Sequence, residues 1–231
     1  MNFEFPKNWL IPTSLDDAKR TQKAMAERVI VDNTFAALNY FGGVDVSNNR
    51  FDPKQMIYAA AVLLDKNQLN VHTKHTVAQQ QVFPYIPGFL GFREAPAVVQ
   101  AIQGIHPIPD LIMVDGHGIS HPRRLGIASH IGVLLDIPTI GVAKSILVGK
   151  PEGVLGPSTG DQVPLVWKGE TIGMLLRTKP RSNPLIISIG HRVNLNTAVN
   201  LVLECLKGYR LPEPTRQAHL AANECRKSFT L

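Results

Sequence analysis

Three acidic residues of the sequence could hold a divalent cation. Asp45 lies in an apolar strand pattern, and Asp115 comes directly after the apolar run 111–114. Glu94 lies near the start of a predicted helix. Carboxylate oxygens are the ligands that Mg²⁺ prefers in proteins, at about 2.0 to 2.1 Å. We therefore expect Asp45, Glu94 and Asp115 to form a site for Mg²⁺, in which Mn²⁺ can substitute.

Each acid also has a purely structural explanation. Backbone donors or an ion pair could satisfy a buried Asp45, and Glu94 could simply complement the dipole of its helix. A cation between carboxylates, however, stabilises charge on a scissile phosphate and activates water, and Lys144 and His121 would add positive charge or proton transfer. No zinc-type spacing of His or Cys lies near the acids. The set favours phosphodiester hydrolysis.

A mixed α/β sheet flanked by helices would bring these acids together. The sequence predicts three strands, then a helix, then a strand, helix, strand unit: Tyr40 to Ser47, Gln55 to Leu64, Leu69 to Ala78, Phe92 to Gln103, and Pro109 to Lys144. Tight turns, such as Asn48 to Arg50, make the first three strands an antiparallel meander. Asp115 and Lys144 then end two parallel strands, at the edge where open α/β sheets bind ligands.

The boundaries inside and beyond this unit are also predicted. Its helix begins near Pro122 and stops at 136–138 before a strand at 139–143. Farther along, the pattern predicts a hairpin turning at 168–169, a basic loop at 179–184, a strand at 185–189, a turn at 190–192 and a helix at 195–206. A last helix behind Pro214 would turn His219 towards the same sheet edge.

The loop before Glu94 presents an aromatic side chain. Pro84, Pro87 and Gly88 stiffen and bend the chain, so Tyr85 can be displayed at low ordering cost. An exposed aromatic on such a loop could stack on a nucleobase. The alternative is that Tyr85 and Phe89 pack in the core or in a lid.

Composition fits a basic globular protein of one domain, residues 1–231. The chain has 24 Lys and Arg against 18 Asp and Glu, a net charge of +6, which favours a polyanionic partner. Its two cysteines, Cys205 and Cys225, have neither zinc nor disulfide spacing. The start at Met1 lacks a signal-peptide pattern, and no apolar run approaches about 18 residues. We expect a soluble, cytoplasmic monomer without membrane attachment.

Five motifs in order resemble the endonuclease V family over nearly the whole chain. They are Gly42-Gly43-Val44-Asp45-Val46, the run Pro84 to Glu94, the run Asp115 to Arg124, Gly141-Val142-Ala143-Lys144, and the run Gly208 to Arg216. The resemblance implies a ribonuclease H-like fold. It also implies a DNA repair enzyme that cuts the second phosphodiester bond 3′ to deoxyinosine and leaves 3′-hydroxyl and 5′-phosphate ends.

The resemblance further implies a role for each matching residue. Asp45, Asp115 and Glu94 match the metal-binding acids, His121 and Lys144 the phosphate-side helpers, and His219 a helper beside the metal. The wedge that separates the DNA strands matches Pro84, Tyr85, Ile86 and Pro87. Two arginines of the motifs, Arg93 and Arg123, are expected at DNA. The pocket for the flipped base matches Gly88, Leu90, Gly116 and Ile127. A tight pocket suits hypoxanthine, which lacks the exocyclic amine of guanine.

Other functions remain open on the sequence alone. A different ribonuclease H-like nuclease, such as the incision half of a nucleotide-excision repair protein or an RNA-directed relative, would use similar acids. A nucleic-acid-binding module could carry the acids for structure only. The sequence also leaves open whether inosine-containing RNA is cut, and whether one metal ion or two take part.

Overall fold

A computed structural model describes residues 5–49 and 52–229. Two predictions fall partly outside this range: the turn at 48–50 includes Arg50, and the start of the chain includes Met1. The described helices are α1 (Lys7–Leu10), α2 (Leu15–Ala26), α3 (Leu90–Gln103), α4 (Ile127–Leu135), α5 (Leu195–Glu204) and α6 (Glu213–Ser228). The described strands are β1 (Tyr40–Asn48), β2 (Met56–Asp65), β3 (Val71–Gln80), β4 (Leu111–Val114), β5 (Thr139–Ala143), β6 (Lys150–Pro151), β7 (Gln162–Trp167), β8 (Glu170–Leu176) and β9 (Leu185–His191).

These strands form one mixed sheet in the order β3-β2-β1-β4-β5-β9-β8-β7-β6. Strands β1 to β3 make the predicted antiparallel meander, β4 runs parallel to β1, and β5 runs parallel to β4. Strand β9 then pairs antiparallel with both β5 and β8. It reaches the sheet from the β7–β8 hairpin and not through a helical crossover, so it need not be parallel. The predicted mixed α/β sheet is confirmed.

Apolar layers cover both faces of the sheet. One contains buried side chains of β2, α3 and α4, among them Ile57, Val98 and Ile131. The other contains Val62 of β2 and buried side chains of α5 and α6, such as Val202 and Ala222. Because both faces of β2 are covered, this strand is a continuous apolar run and not an alternating one. The central strands are therefore a rigid base for the residues at their ends.

The helix predicted from Pro122 begins later than expected, at Ile127. The preceding loop folds back on itself: the Gly126 N–H donates to the Gly118 carbonyl at 2.9 Å, and the Ala128 N–H donates to the His117 carbonyl at 2.9 Å. These hydrogen bonds close the loop before helical geometry begins. The prediction for Pro122 was therefore wrong, and the loop is a compact structure of its own.

The predicted turn at 190–192 was also placed too early, since β9 extends to His191. Buried His191 accepts a hydrogen bond from the Ile30 N–H through Nδ1 and contacts Asp136 through Nε2, both at 3.2 Å. These partners keep the residue in the sheet. In the described part of the chain, no helix is both long enough and apolar enough to cross a bilayer.

Candidate active site

Asp45 and Asp115 lie side by side at the edge predicted from the sequence. Val44 of β1 pairs with Val114 of β4, and the Asp115 N–H continues this ladder by donating to the Val44 carbonyl at 3.0 Å. The two acids that follow these valines are therefore adjacent. The Asp45 side chain is only 9% exposed, and its Oδ1 accepts from the Val46 N–H at 2.8 Å.

Helix α6 brings His219 to this pair, because Gly43 lets the helix approach β1 closely. A Cβ atom at Gly43 would lie 1.9 Å from the Pro214 carbonyl oxygen, so a larger residue would push α6 away. His219 Nδ1 lies 2.7 Å from Asp45 Oδ2. Possible metal-binding atoms of Asp45, Asp115 and His219 all lie within 4.8 Å of one another. Among the described residues, no other three His, Cys, Asp or Glu side chains come together in this way.

Lys144 completes the cluster from the end of β5. Its ammonium group is ion-paired with Asp115 and is 39% exposed, so it still faces solvent. Arg210 supports this residue by donating through Nη2 to the carbonyl oxygens of Lys144 and Pro184, both at 3.2 Å. The basic loop 179–184 is thus joined to the lysine beside the acids.

Electrostatics make the cluster suitable for a cation. Burial and, after it, repulsion from Asp115 raise the pKa of Asp45 to about 6, although Lys144 and the hydrogen bond from His219 lower it. Two carboxylates at this separation repel each other unless positive charge lies between them. The donors are mainly hard oxygen atoms, which Mg²⁺ and Mn²⁺ prefer to softer ligands. The residues present therefore fit the metal expected from the sequence.

Glu94, the third acid expected at the metal, is not part of the group formed by Asp45, Asp115 and His219. It is a buried residue of α3. Burial raises its pKa to about 8; Arg93 lowers it, whereas Asp45 and Asp115 raise it. Glu94 thus interacts electrostatically with the acid pair, and it also lines an open cleft of about 700 Å³ that contains Tyr85.

A second, largely apolar cavity of about 190 Å³ lies beside the acids. All four residues expected to form a base pocket line it: Gly88, Leu90, Gly116 and Ile127. His121 lies in its wall, where burial, followed by the charges of Arg123 and His117, lowers its pKa to about 4. His121 is therefore neutral at pH 7 and belongs to the cavity wall.

Arg123 is half-buried and is held in place by three contacts. Its Nη2 donates to the Gly88 carbonyl at 2.5 Å, its Nε donates to Gln22, and its guanidinium lies 4.2 Å from the Phe89 ring centroid. These contacts fix the backbone of Gly88, which has φ +80°, at the mouth of the cavity. The arginine shapes the cavity through this carbonyl.

The loop before α3 displays Tyr85 as the sequence suggested. Tyr85 is 65% exposed, whereas Phe89 is buried and Ile86 packs against its cluster. Arg93 lies 5.6 Å from the Tyr85 ring centroid, and its Nε donates to Gln81 at 2.6 Å. Pro84 and Pro87 flank this display and are themselves exposed. Tyr85 is therefore free for stacking, and Phe89 takes the core position.

Several residues near the site were not singled out from the sequence. His117, Leu125 and Leu147 line the cavity. Ser47 and Asn223 continue the hydrogen bonding of Asp45 and His219. Ser47 lies two positions from Asp45 on the same strand, and Asn223 lies four positions from His219 on the same helix. A spacing of two in a strand, and of four in a helix, places two side chains on the same face of the element. This spacing is the signal that could have identified Ser47 and Asn223.

Comparisons with known proteins agree with this geometry. The model of the endonuclease V family matches residues 23–220. An endonuclease V of Protochlamydia amoebophila is 60% identical over 225 residues, which cover 97% of this chain and 96% of that protein.

Solved structures give the same result. The endonuclease V of Streptomyces avermitilis superposes with a TM-score of 0.89 at 37% identity and covers 100% of both chains. The endonuclease V of Ciona intestinalis, solved with a 24mer DNA containing an inosine followed by a ribo-adenosine, has a TM-score of 0.80 at 26% identity. It covers 94% of this chain and 98% of its own. The fold is ribonuclease H-like, as expected. Because the family match spans most of the chain and the 60% identical relative aligns along nearly all of it, this protein belongs to the endonuclease V family.

Proposed function

We propose that this protein is a DNA repair endonuclease that hydrolyses the second phosphodiester bond 3′ to deoxyinosine and leaves 3′-hydroxyl and 5′-phosphate ends. Damaged DNA is the proposed partner, with Mg²⁺ as the metal and Mn²⁺ as a substitute. We propose inosine-containing RNA as a second substrate to be tested. The Ciona relative was solved with inosine-containing DNA, which supports inosine as the lesion.

One observation carries the proposal: two consecutive residues belong to two different parts of the site. Asp115 is in the acid cluster, whereas Gly116 lines the cavity. A base held in the cavity would therefore place its own sugar-phosphate chain beside the acids. This is the arrangement needed by an enzyme that recognises a base and cuts the backbone nearby.

The cavity is suited to one extruded base. At about 190 Å³, with walls of glycine backbone and apolar side chains, it is smaller than the roughly 300 Å³ at which sites for larger ligands begin. Exposed Tyr85 would fill the space that the base leaves in the helix, with Pro84, Ile86 and Pro87 stiffening the wedge. Arg93 lies over the Tyr85 ring, and the motif residue Arg123 holds Gly88. These two arginines would keep the wedge and the cavity in a fixed position relative to each other.

The charged residues would act on the phosphate. Asp45, Asp115 and Glu94 would hold a divalent cation. When bound, the cation would stabilise the negative charge on the phosphate and activate a water molecule. Lys144 keeps an exposed ammonium group near Asp115 and can bind a phosphate oxygen. His219 orients Asp45 through its hydrogen bond, and neutral His121, in the cavity wall, would assist from the phosphate side. Glu94 carries a proton at pH 7 before a cation arrives, because its pKa is about 8.

We also propose that residues 1–231 act as one catalytic domain and as a monomer in the cytoplasm. A single sheet connects the cluster, the cavity and the basic loop, which supports one functional unit. The free thiols of Cys205 and Cys225 fit a reducing compartment.

Product mapping tests the function. The protein is incubated with end-labelled duplexes that carry deoxyinosine or deoxyadenosine at one position, with and without Mg²⁺, and the product ends are identified. We expect one nick, at the second bond 3′ to inosine, only when Mg²⁺ is present. Equal cutting of the adenosine duplex, or no cutting of the inosine duplex, would refute the proposal. A matched inosine RNA determines whether RNA is a second substrate.

A further inference from the structure

A line of hydrogen-bonded side chains runs from Asp45 into helix α6 and back to β1. His219 Nδ1 lies 2.7 Å from Asp45 Oδ2, and Asn223 Nδ2 lies 3.1 Å from His219 Nε2. The Asn223 Oδ1 accepts from Ser47 Oγ at 2.9 Å, and Ser47 Oγ accepts from Arg226 Nε at 2.9 Å. We call His219, Asn223, Ser47 and Arg226 the α6 relay.

The chemistry of the donors gives the α6 relay a direction. The guanidinium of Arg226 can only donate, so Ser47 Oγ accepts from it and uses its own proton for Asn223. This fixes the Asn223 amide with its oxygen towards Ser47 and its nitrogen towards His219. The same amide nitrogen lies 2.9 Å from the His219 carbonyl, which can only accept, so two independent contacts require this amide orientation.

The amide orientation determines the tautomer of His219. Because Asn223 Nδ2 donates, His219 Nε2 must accept, and the proton of the neutral imidazole is left on Nδ1. That proton points at Asp45 Oδ2, with which it makes the 2.7 Å hydrogen bond. In the opposite tautomer, a lone pair of Nδ1 would face the carboxylate and Nε2–H would face the amide NH₂. Both contacts would then be repulsive.

We propose that Asn223, held by Ser47 and Arg226, is a positioning residue that fixes His219 as its Nδ1–H tautomer and thereby fixes the Asp45 carboxylate. His219 is then a donor to Asp45 and does not bind metal through Nδ1, which leaves the carboxylates of Asp45 and Asp115 to face the cation. Groups that orient a metal-binding side chain in this way commonly change metal affinity or activity by roughly 10- to 100-fold. The catalytic consequence rests on the proposed function, whereas the tautomer does not.

Nitrogen-15 NMR of the full chain, without metal or DNA, tests the tautomer directly. At a pH where histidines are neutral, we expect His219 Nδ1 to show the shift of a protonated ring nitrogen and Nε2 that of an unprotonated one. The signals are assigned by their loss in His219→Gln. In Asn223→Leu, we expect both shifts to move towards the average of a tautomer mixture. An Nε2–H tautomer in the wild type, or unchanged shifts in Asn223→Leu, would overturn the proposal.

Ser47→Ala gives a second measurement that leaves α6 unchanged. It removes the proton that orients the Asn223 amide, so we expect the His219 shifts to move in the same direction as in Asn223→Leu. Asn200→Leu, at an exposed position of α5, is the matched control and should leave the shifts unchanged. Equal shifts in Ser47→Ala and in the wild type would show that the His219 carbonyl alone orients the amide, and would overturn the part of the proposal in which Ser47 and Arg226 hold Asn223.

A double-mutant cycle separates positioning from general stability. We expect Asn223→Leu to slow single-turnover cutting of inosine DNA by roughly 10- to 100-fold, with unchanged DNA affinity, and to have no further effect in a His219→Ala background. An equal loss in both backgrounds would contradict action through His219. If the wild type does not cut inosine DNA, the proposed function fails while the NMR result still decides the tautomer.

Discussion

The Asp115 N–H donates to the carbonyl oxygen of Val44, the residue before Asp45, at 3.0 Å. This hydrogen bond extends the ladder between β1 and β4 by one residue beyond the strand end. It therefore brings two carboxylates from distant parts of the chain to the same level of the sheet. Burial and, after it, the repulsion between the two carboxylates raise the pKa of Asp45 to about 6, and a bound cation would lower the pKa again by offsetting that repulsion.

Tyr85→Ala tests the wedge. Tyr85 is 65% exposed, so its loss should leave folding intact and remove a stacking surface worth roughly 1 to 3 kcal/mol per base. We expect about 10-fold or greater loss of kcat/KM on an inosine duplex and a smaller loss on single-stranded inosine DNA, where no partner strand must be separated. Tyr209→Ala, at a 51% exposed tyrosine elsewhere, is the control. Equal losses on the two substrates would reject the wedge.

Ile127→Ala tests the cavity. Ile127 lines it, and removing three carbons should admit a larger base, so cutting at xanthine relative to hypoxanthine should rise. Ile131→Ala is the matched control, because Ile131 lies one turn farther on α4, is fully buried and does not line the cavity. Both changes should cost about 2 to 5 kcal/mol of stability. Competition assays with the two lesions should show altered specificity only for Ile127→Ala.

Lys179→Gln tests the basic loop. Arg210 joins this loop to Lys144, so a phosphate contact at Lys179 would lie along the DNA strand that reaches the acids. We expect weaker binding of both inosine and normal DNA, and a slope of log affinity against log salt that is smaller by about 1. Lys19→Gln, on α2, should leave the slope unchanged. A normal slope for Lys179→Gln would remove this loop from the DNA surface.

His130 should make stability depend on pH. Burial lowers its pKa to about 4, although its 2.6 Å hydrogen bond to the Trp9 carbonyl opposes the shift. Between that value and an unfolded pKa of about 6.5, the unfolded chain binds the extra proton, so stability falls as pH drops through this window. The loss approaches about 3 kcal/mol at the acid end.

Urea unfolding at several pH values checks this prediction. His130→Leu should be less stable than the wild type near pH 7 but should lose less stability on acidification. Some slope will remain, because burial also lowers the pKa of His117 to about 4. His72→Leu, at an exposed position of β3, is the control. An unchanged slope in His130→Leu would contradict the prediction.

The elements that carry the acids could be predicted because their signals are local. The run 111–114 is apolar throughout, since helices cover both faces of β4, and Asp115 marks the point where burial ends. The alternating turns and apolar runs of 40–78 likewise define the meander. Parallel pairing of β1 with β4 follows from the helix between them. The position of Asp45 next to Asp115 could therefore be predicted from the order of strands and helices in the sequence.

Contacts between distant residues could not be predicted in this way. Arg123, which the family motif places at DNA, bonds to Gln22, 101 positions away, and to Gly88, 35 positions away. No periodicity relates those positions. The relay residues His219, Asn223 and Arg226 do share helical spacing, yet polar residues at that spacing also describe a solvated helix face. Only the packing of α6 on Gly43 distinguishes the two cases.

The most direct test of a cation held by Asp45 and Asp115 is the single-turnover cutting rate of an inosine duplex at saturating Mg²⁺, compared between wild type, Asp45→Ala and Asp115→Ala. Each substitution removes a proposed ligand but leaves the basic surface, so we expect a rate at least about 100-fold lower with DNA affinity changed only a few-fold. Glu152→Ala, at an exposed acid away from the cluster, should cut normally. A near-wild-type rate in Asp45→Ala or Asp115→Ala would contradict the metal site.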